Sequence, residues 1–575
     1  ELLNPANKSD KVGRVSDAST ADALAAISAS TSAFEKWSAL SMDERAGILE
    51  RTGELYEENA AELMALAVRE AGKTRFDAVA EIREAVDFLR YYAAEARNLP
   101  KEARAIGPVL CISPWNFPLA IFTGQIAGAL VTGNTVIAKP AEQTPLISAR
   151  AASLFQQAGL PENTLQLVQG DGAKIGPVLT GSPQIAGIAF TGSTETARLI
   201  EMSMAGSGRA EAPFIAETGG LNAMIVDSTA LPEQAVRDIL SSAFQSAGQR
   251  CSALRVLYVQ KEIAASLLEM LEGAARELTI GDPWNPATDV GPVIDEDARR
   301  TIIAHCDAMK ANGRLIFEIP LPAACQNGTF VPPTAVRIGS ILELEREIFG
   351  PVLHVVEFEA GRIDQVVDEI NKAGYGLTLG IHSRIDTRVD RICETAHIGN
   401  IYVNRNQIGA VVGVQPFGGE GLSGTGPKAG GPFYIRRFTR NAGKVDVAQR
   451  TLMPGPTGES NSWILRPRGV IACLADSDEG QKRLVALAAA AGNRTVTGSS
   501  DNGKIRDEIV ADRIDAILVD GTISPEMRRQ VAEKNGRRIP ILDADDAAFM
   551  LHAETSISED TTASGGNASL LSAVA

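Results

Sequence analysis

Cys251 sits in the stretch QSAGQRCSALR, residues 245–255, where an amphipathic helix gives way to an apolar strand. A thiol held between two rigid elements and facing a loop is placed to act as a nucleophile, since its thiolate adds to electrophilic carbonyl carbons. A single free cysteine is more often a small core hydrophobe, so Cys251 alone leaves both readings open. Glu217 follows the apolar run PFIA and stands just before Gly219 and Gly220, a setting that lets its carboxylate reach into a cleft. Gly192 and Ser193 end the run IAGIAFTGS and open the helix TETARLIEMSM. Backbone N–H groups and the helix dipole there could hold a pyrophosphate. The usual GxGxxG fingerprint is missing: Gly170 and Gly172 lead to Gly176 at the wrong spacing, and an ordinary strand-to-helix turn competes. AGKT at 71–74 imitates the end of a phosphate-binding loop, but Ala67 replaces the required glycine.

The elements that must position these residues alternate. Val236, Ile239, Leu240, Ala243, Phe244 and Ala247 recur at helical spacing from Pro232 onward, and ALRVLYV reads as a buried strand. Residues 20–98 read as several helices, with Ser41 and Glu44 at capping-box spacing. From Gly107, IGPVLCIS, NTVIAKP, LQLVQG and IAGIAFTGS read as strands, and Pro145 and Gly159 bracket a helix between the second and third. Strands alternating with helices predict an α/β fold with a doubly wound parallel sheet. After the linker PGPTGES a second βαβ array runs from GVIACLA to IPILDAD, with Cys473 in its first strand as core rather than catalyst.

At 575 residues the chain is too long for one core, and three or four domains are expected. A hydrophobic fraction of 45% with 22% charged residues describes a globular protein. The formal net charge of -16 argues against nucleic acid and acidic membranes as partners, and any anionic substrate must be held by local donors. Val109–Ala138 is broken by Pro114, Asn116, Pro118, Gln125 and Asn134, so no membrane span is expected. The six cysteines lack a CxxC pair and the five histidines lack HxxxH spacing, so no metal site is expected, and reduced thiols in a cytoplasmic compartment are. No signal peptide is read, and the opening Glu1 suggests an excised or processed piece of something longer.

PWNFP at 114–118, AKPAEQTP at 138–145, FTGS at 190–193, AETGG at 216–220, GQRCSA at 248–253, EIFGP at 347–351 and QPFGG at 415–419 occur in this order. Together they resemble the aldehyde dehydrogenase superfamily over roughly residues 1–450. The resemblance implies that fold: a Rossmann-like NAD domain over 1–217 with a short flap segment near 100–107, a catalytic domain over 218–436, and an oligomerisation flap and linker over 437–455. It also implies Cys251 as nucleophile, Glu217 as the base that activates water against a thioester, and Asn116 with the Cys251 N–H as oxyanion donors. A nicotinamide acceptor is required for the hydride. The family assigns Lys139 and Glu142 to the adenosine ribose, Gly192 and Ser193 to the phosphates, and Glu347 and Phe349 to the nicotinamide end. A carboxylate at Glu142 would repel a 2′-phosphate, which favours NAD over NADP. Two departures stand out: Leu221 replaces a frequent lysine, and Ala197 a frequent glycine.

A narrower likeness runs from Val403 to Pro432, VNRNQIGAVVGVQPFGGEGLSGTGPKAGGP, which looks like the glutamate semialdehyde (1-pyrroline-5-carboxylate) dehydrogenases of bifunctional proline utilisation proteins. It implies oxidation of glutamate γ-semialdehyde, with the Gly409 and Ala410 N–H groups and the Ser252 hydroxyl on the α-carboxylate and Phe117 and Phe417 flanking the chain. Another ω-semialdehyde such as succinate semialdehyde, or a non-catalytic scaffold, are the alternatives. FYIRRFTRNAGKVDV resembles the start of a pairing flap, so a homodimer is expected. Residues 456–575 resemble a non-catalytic, aldehyde-dehydrogenase-like C-terminal domain, with TTASGGNASL at 561–570 as a tail expected to cover a partner's active site. Full-length relatives also carry a flavin-dependent proline dehydrogenase upstream; nothing here reads as that barrel, and no FAD is expected.

Overall fold

The computed structural model describes residues 1–575 except 210, 444–447, 500–502, 546–547 and 563–575. After an antiparallel pair of strands, Leu2–Asn4 and Asn7–Gly13, come four helices, Thr20–Ser38, Met42–Glu58, Ala60–Ala71 and Arg75–Arg97, and Ser41 closes a capping box with Glu44 as its spacing predicts. Gly72, φ 66°, ends the third helix in the left-handed conformation that glycine adopts at low cost.

Five parallel strands follow, in the spatial order Leu165–Leu167, Val136–Lys139, Val109–Ile112, Gly187–Gly192 and Phe214–Thr218. Val109, Leu110, Cys111, Val136, Ile137 and Ala138 are buried, which is why these strands read as unbroken apolar runs. The chain winds outward from Val109–Ile112 in both directions, so a crevice opens between that strand and Gly187–Gly192 at their carboxyl ends. The helix Pro145–Gln157 starts at Thr144 and Pro145 as expected, but Thr144 makes no side-chain cap. Glu70 takes that part from a distant helix, accepting from Leu146 N at 2.7 Å and Ile147 N at 3.0 Å.

A ten-stranded sheet forms the second body. At its centre Val256–Gln260 lies parallel to Ala223–Val226 and to Val352–Phe358, with Thr378–His382 and Asn400–Val403 continuing the array. The array expected after the linker is present as Val470–Ala475, Arg494–Gly498, Ala516–Asp520 and Ile541–Asp543, all parallel, and Cys473 is buried in it. The boundary expected at 456 does not coincide with a break between sheets. Glu459–Pro467 and His552–Asp560, which flank the small array, belong to the ten-stranded sheet, where His552–Asp560 pairs parallel with Asn400–Val403. Of the described residues in the expected flap, Thr439–Arg440 pair with Arg104–Ala105 and Arg450–Met453 pair with Glu459–Pro467. All but Thr561 and Thr562 of the expected tail motif lies outside the described residues.

Candidate active site

The helix Pro232–Phe244 ends short of Ala247, which the apolar spacing places on its face, and the connection to Cys251 is a tight turn. Ser246, Ala247 and Gly248 have φ of 54°, 52° and 66°. A left-handed residue other than glycine costs roughly 1 kcal/mol or more, so the surroundings must hold this turn. Arg255 Nη1 donates to Gly248 O at 2.6 Å, Gln249 Nε2 to Pro292 O at 3.1 Å, and Ile294 N to Gln249 Oε1 at 2.8 Å. The buried pair Arg250–Asp77, 2.7 Å, fixes the residue before the cysteine, and Asn222 Nδ2 donates to Cys251 O at 2.6 Å.

Cys251 is partly exposed, whereas the other five cysteines are buried. Burial pushes its thiol up to about 12, with Glu347, Glu217 and Glu84 adding to the effect and Arg250 opposing it. The thiol is therefore held more firmly protonated than an ordinary cysteine. Glu217, near the end of Phe214–Thr218, has Oε2 accepting from Gly419 N at 3.1 Å and Oε1 buried without a hydrogen-bond partner among the described residues. Burial pushes its carboxyl up to about 8, while the Gly419 N–H and Lys428 pull it back. A base with a value near neutrality is matched to accepting a proton in the working range. Asn116, in the loop after Val109–Ile112, donates from Nδ2 to Gln249 O at 3.1 Å, which sets its amide beside the turn that carries Cys251.

All the residues singled out in the sequence line one cavity of about 1150 Å³: Cys251, Glu217, Asn116, Lys139, Glu142, Gly192, Ser193, Glu347, Phe349, Ser252, Gly409, Ala410, Phe117 and Phe417. At one end Ser193 caps the helix Thr194–Gly206, accepting from Thr196 N at 3.1 Å. Lys139 Nζ lies 3.9 Å from Glu142 Oε1, and the same oxygen accepts from Gly172 N at 2.5 Å. Gly172, Ala173 and Gly176 join the lining here, although their glycine spacing does not fit the usual fingerprint. They open the helix Gly172–Thr180 behind an edge strand, whereas that fingerprint marks the turn after a first strand. Ala197, in the first turn of Thr194–Gly206, is buried, and Leu221 is core.

Farther in, Arg255 donates to Glu347 Oε1 from Nε and Nη2 at 3.0 and 2.9 Å, and its guanidinium lies 5.0 Å from the Phe349 ring. Trp115 meets Phe349 edge-on at 5.6 Å. A Cβ on Gly219 would come within 1.9 Å of Glu347 Oε2, so that approach requires glycine. At the opposite end Phe117 lies between two cations, 4.3 Å from Lys73 Nζ and 5.3 Å from Arg250 Cζ. Lys73, part of the discarded AGKT stretch, pairs with Glu81 at 3.0 Å, and Glu81 in turn accepts from Leu119 N and Ala120 N. Sequence reasoning missed Glu84, which lines the cavity and whose carboxyl is pushed up to about 8, first by burial and then by Glu81. Its helical spacing from Glu81 was the available signal.

A model of the aldehyde dehydrogenase family matches residues 1–442. The chain belongs to the aldehyde dehydrogenase family. Among similar proteins, the Bifunctional protein PutA of Escherichia coli K12 is 42% identical over 656 residues, covering 99% of this chain and 50% of that protein. The 1-pyrroline-5-carboxylate dehydrogenase of Geobacillus sp. WCH70 is 36% identical, covering 75% of this chain and 87% of that one. The chain thus spans about half the length of the bifunctional relatives it matches. A crystal structure of a bifunctional proline utilization A protein superposes with a TM-score of 0.72 at 51% identity, over 75% of this chain and 45% of that one. A 1-pyrroline-5-carboxylate dehydrogenase from Thermus with bound NAD superposes with a TM-score of 0.72 at 34% identity, over 76% of this chain and 88% of its own. Among the described residues no group of histidine, cysteine and carboxylate side chains could hold a metal ion, and no helix is long and apolar enough to cross a membrane.

Proposed function

We propose that this aldehyde dehydrogenase oxidises glutamate γ-semialdehyde to glutamate with NAD, through a thioester on Cys251. The observation that carries the reading is the meeting of Cys251, Glu217, Asn116, Gly409, Ala410 and Glu84 in one cavity whose other end is formed by two helix starts. The dinucleotide fits those helix starts, because aligned backbone N–H groups favour pyrophosphate. Lys139 and Glu142 would hold its ribose, and Arg255 fixes Glu347 and Phe349 for the nicotinamide end. When bound, the dinucleotide supplies the hydride acceptor.

This chain's own residues do the rest. Cys251 loses its proton to solvent water and its sulfur bonds to the aldehyde carbon as the C=O π bond opens, while the Asn116 amide and the Cys251 N–H hold the oxygen as charge develops on it. At the thioester stage Glu217 takes a proton from water, the water oxygen adds to the acyl carbon, the C–S bond breaks, and sulfur leaves as thiolate. Gly409, at φ 79°, lets the backbone turn its N–H groups toward a carboxylate. Glu84 gives the same end of the site a negative counterpart for a substrate ammonium, which would favour ionisation of its carboxyl.

The names and identity of the relatives support the semialdehyde as substrate, and a homodimer remains the proposed assembly, with an upstream proline-oxidising domain as the proposed source of substrate. The six free cysteines suit a reducing, cytoplasmic setting. The experiment is NADH formation from glutamate γ-semialdehyde and from succinate semialdehyde, with wild type, Cys251→Ala and Glu84→Gln. The reading expects no product with Cys251→Ala and a raised KM in Glu84→Gln for the amino-bearing substrate alone. Equal turnover of both substrates by both wild type and Glu84→Gln would favour a general ω-semialdehyde enzyme.

A further inference from the structure

Glu217 is tied to a buried lysine through a single peptide group. Its Oε2 accepts from Gly419 N at 3.1 Å, and Lys428 Nζ donates to Gly418 O at 2.8 Å, the other end of the same peptide. Gly418 makes this possible. A Cβ there would lie 2.6 Å from Glu217 Oε1 and 3.2 Å from Lys428 Cγ, so the two side chains close on it from either side.

Lys428 is 2% exposed, and its Nζ has two more acceptors, Gly399 O at 2.6 Å and Asn400 Oδ1 at 2.8 Å. Three acceptors match the three protons of an ammonium; a neutral amine would leave one acceptor unserved. The counter-charge comes from the far end of the chain. Glu554, in His552–Asp560, accepts from Lys428 N at 3.0 Å through Oε1 and from Trp463 Nε1 at 3.0 Å through Oε2.

We propose that Lys428 is a positioning residue for Glu217, its ammonium polarising the Gly418–Gly419 peptide so that the N–H favours the ionised form of Glu217 and holds it in one orientation, with Glu554 keeping Lys428 charged. The physical basis is that hydrogen bonds in a chain polarise one another in a low-dielectric setting. The inference rests on the proposed roles of Cys251 and Glu217. Other titratable or charged groups facing this chain are Cys251 and Tyr434 beside Glu217, Glu420 beside Lys428, and Arg468 and Tyr91 beside Glu554. On Glu217 the pull of Lys428 outranks the push of Glu554, so losing the ammonium must raise the carboxyl.

The test uses p-nitrophenyl acetate, whose rapid release of p-nitrophenolate reports acylation of Cys251 and whose steady state reports hydrolysis of the acetyl-enzyme. Lys428→Gln keeps an amide donor for the carbonyls and removes the charge. It is expected to move the acid limb of the steady state up by about one pH unit, and so to slow hydrolysis roughly tenfold at pH 7, with the burst retained. Lys428→Arg should restore the wild-type limb. Glu554→Gln removes the direct push of Glu554 on Glu217, which alone would lower the limb, and strips Lys428 of the counter-charge that keeps it protonated, which raises it. Because the pull of Lys428 outranks that push, the limb should rise by a smaller amount, and this variant carries the test if Lys428→Gln does not fold. A limb left at its wild-type position in Glu554→Gln, or in Lys428→Gln with burst and steady state falling together, overturns the proposal. Glu217→Gln separates the two claims. Undiminished hydrolysis there sinks the role of Glu217 itself, whereas lost hydrolysis there with an unmoved limb in Lys428→Gln sinks only the lysine.

Discussion

Arg255 turns one edge of its guanidinium to Glu347, placing Nε and Nη2 at 3.0 and 2.9 Å from a single carboxylate oxygen, while Nη1 holds Gly248 O at 2.6 Å. One buried cation thus joins the Glu347–Phe349 part of the cavity wall to the turn that presents Cys251. Removing one partner of a buried pair leaves an uncompensated charge, at a cost of roughly 3–5 kcal/mol. Arg255→Met is expected to lower the melting temperature and the rate of NADH formation together. Glu347→Gln keeps the fold better, because Glu347 sits at the cavity wall, and should raise the KM for NAD more than it lowers stability. Thermal melts beside steady-state kinetics check both.

Gly248 has a second reason to be glycine. Besides its φ of 66°, a Cβ there would meet Gly350 O at 2.2 Å. Gly248→Ala must therefore shift the Ser246–Gly248 turn, and Cys251 with it. Activity should fall by 10²-fold or more, the order of loss that a misplacement of about 1 Å brings. Rapid-quench measurement of Cys251 acylation is the check, and acylation at the wild-type rate would contradict this.

The Glu217 carboxyl stands at about 8 in the folded chain against an ordinary 4.5. Between those values the folded state holds a proton that the unfolded state has lost, so stability falls as pH rises through the window. Glu217→Gln removes this cost. The variant is expected to melt above the wild type at pH 8.5 and alongside it at pH 4, while hydrolysis of the acyl-enzyme drops by roughly 10²–10⁴-fold. Melting curves at the two pH values, paired with burst kinetics, test both halves.

Asn116 is placed by its bond to Gln249 O, 3.1 Å, rather than by packing alone. Asn116→Ala should lower kcat by roughly 10²–10³-fold, the usual effect of removing one oxyanion donor. Circular dichroism should stay as in the wild type.

Much of this was legible in the chain. The strands of the five-stranded sheet announced themselves because both faces are buried, which leaves continuous apolar runs such as VLCI and VIAK. The cavity residues were legible through motif order. What stayed hidden was long-range polar pairing. HAETSISED, residues 552–560, has few apolar residues to mark it as a strand, yet it lies inside the ten-stranded sheet. Its side chains are satisfied from afar: Glu554 by Trp463, Ser556 by Pro416 O, and Ser558 by Arg405 and Gln415. Glu70 capping a helix that starts at Pro145, and Glu81 serving Leu119 and Ala120, are hidden for the same reason. The apolar period of a helix does not say which distant N–H its carboxylates will meet. The Cys251 thiol also departs from its free value, first through burial and then through carboxylates from three separate segments, Glu347, Glu217 and Glu84.

The most direct measurement is mass spectrometry of the chain quenched during turnover of glutamate γ-semialdehyde with NAD, using Glu217→Gln to let the acyl-enzyme accumulate. The account predicts a glutamyl thioester on Cys251, formed in step with NADH. NADH formed with Cys251 unmodified, or an adduct on any other residue, would contradict it.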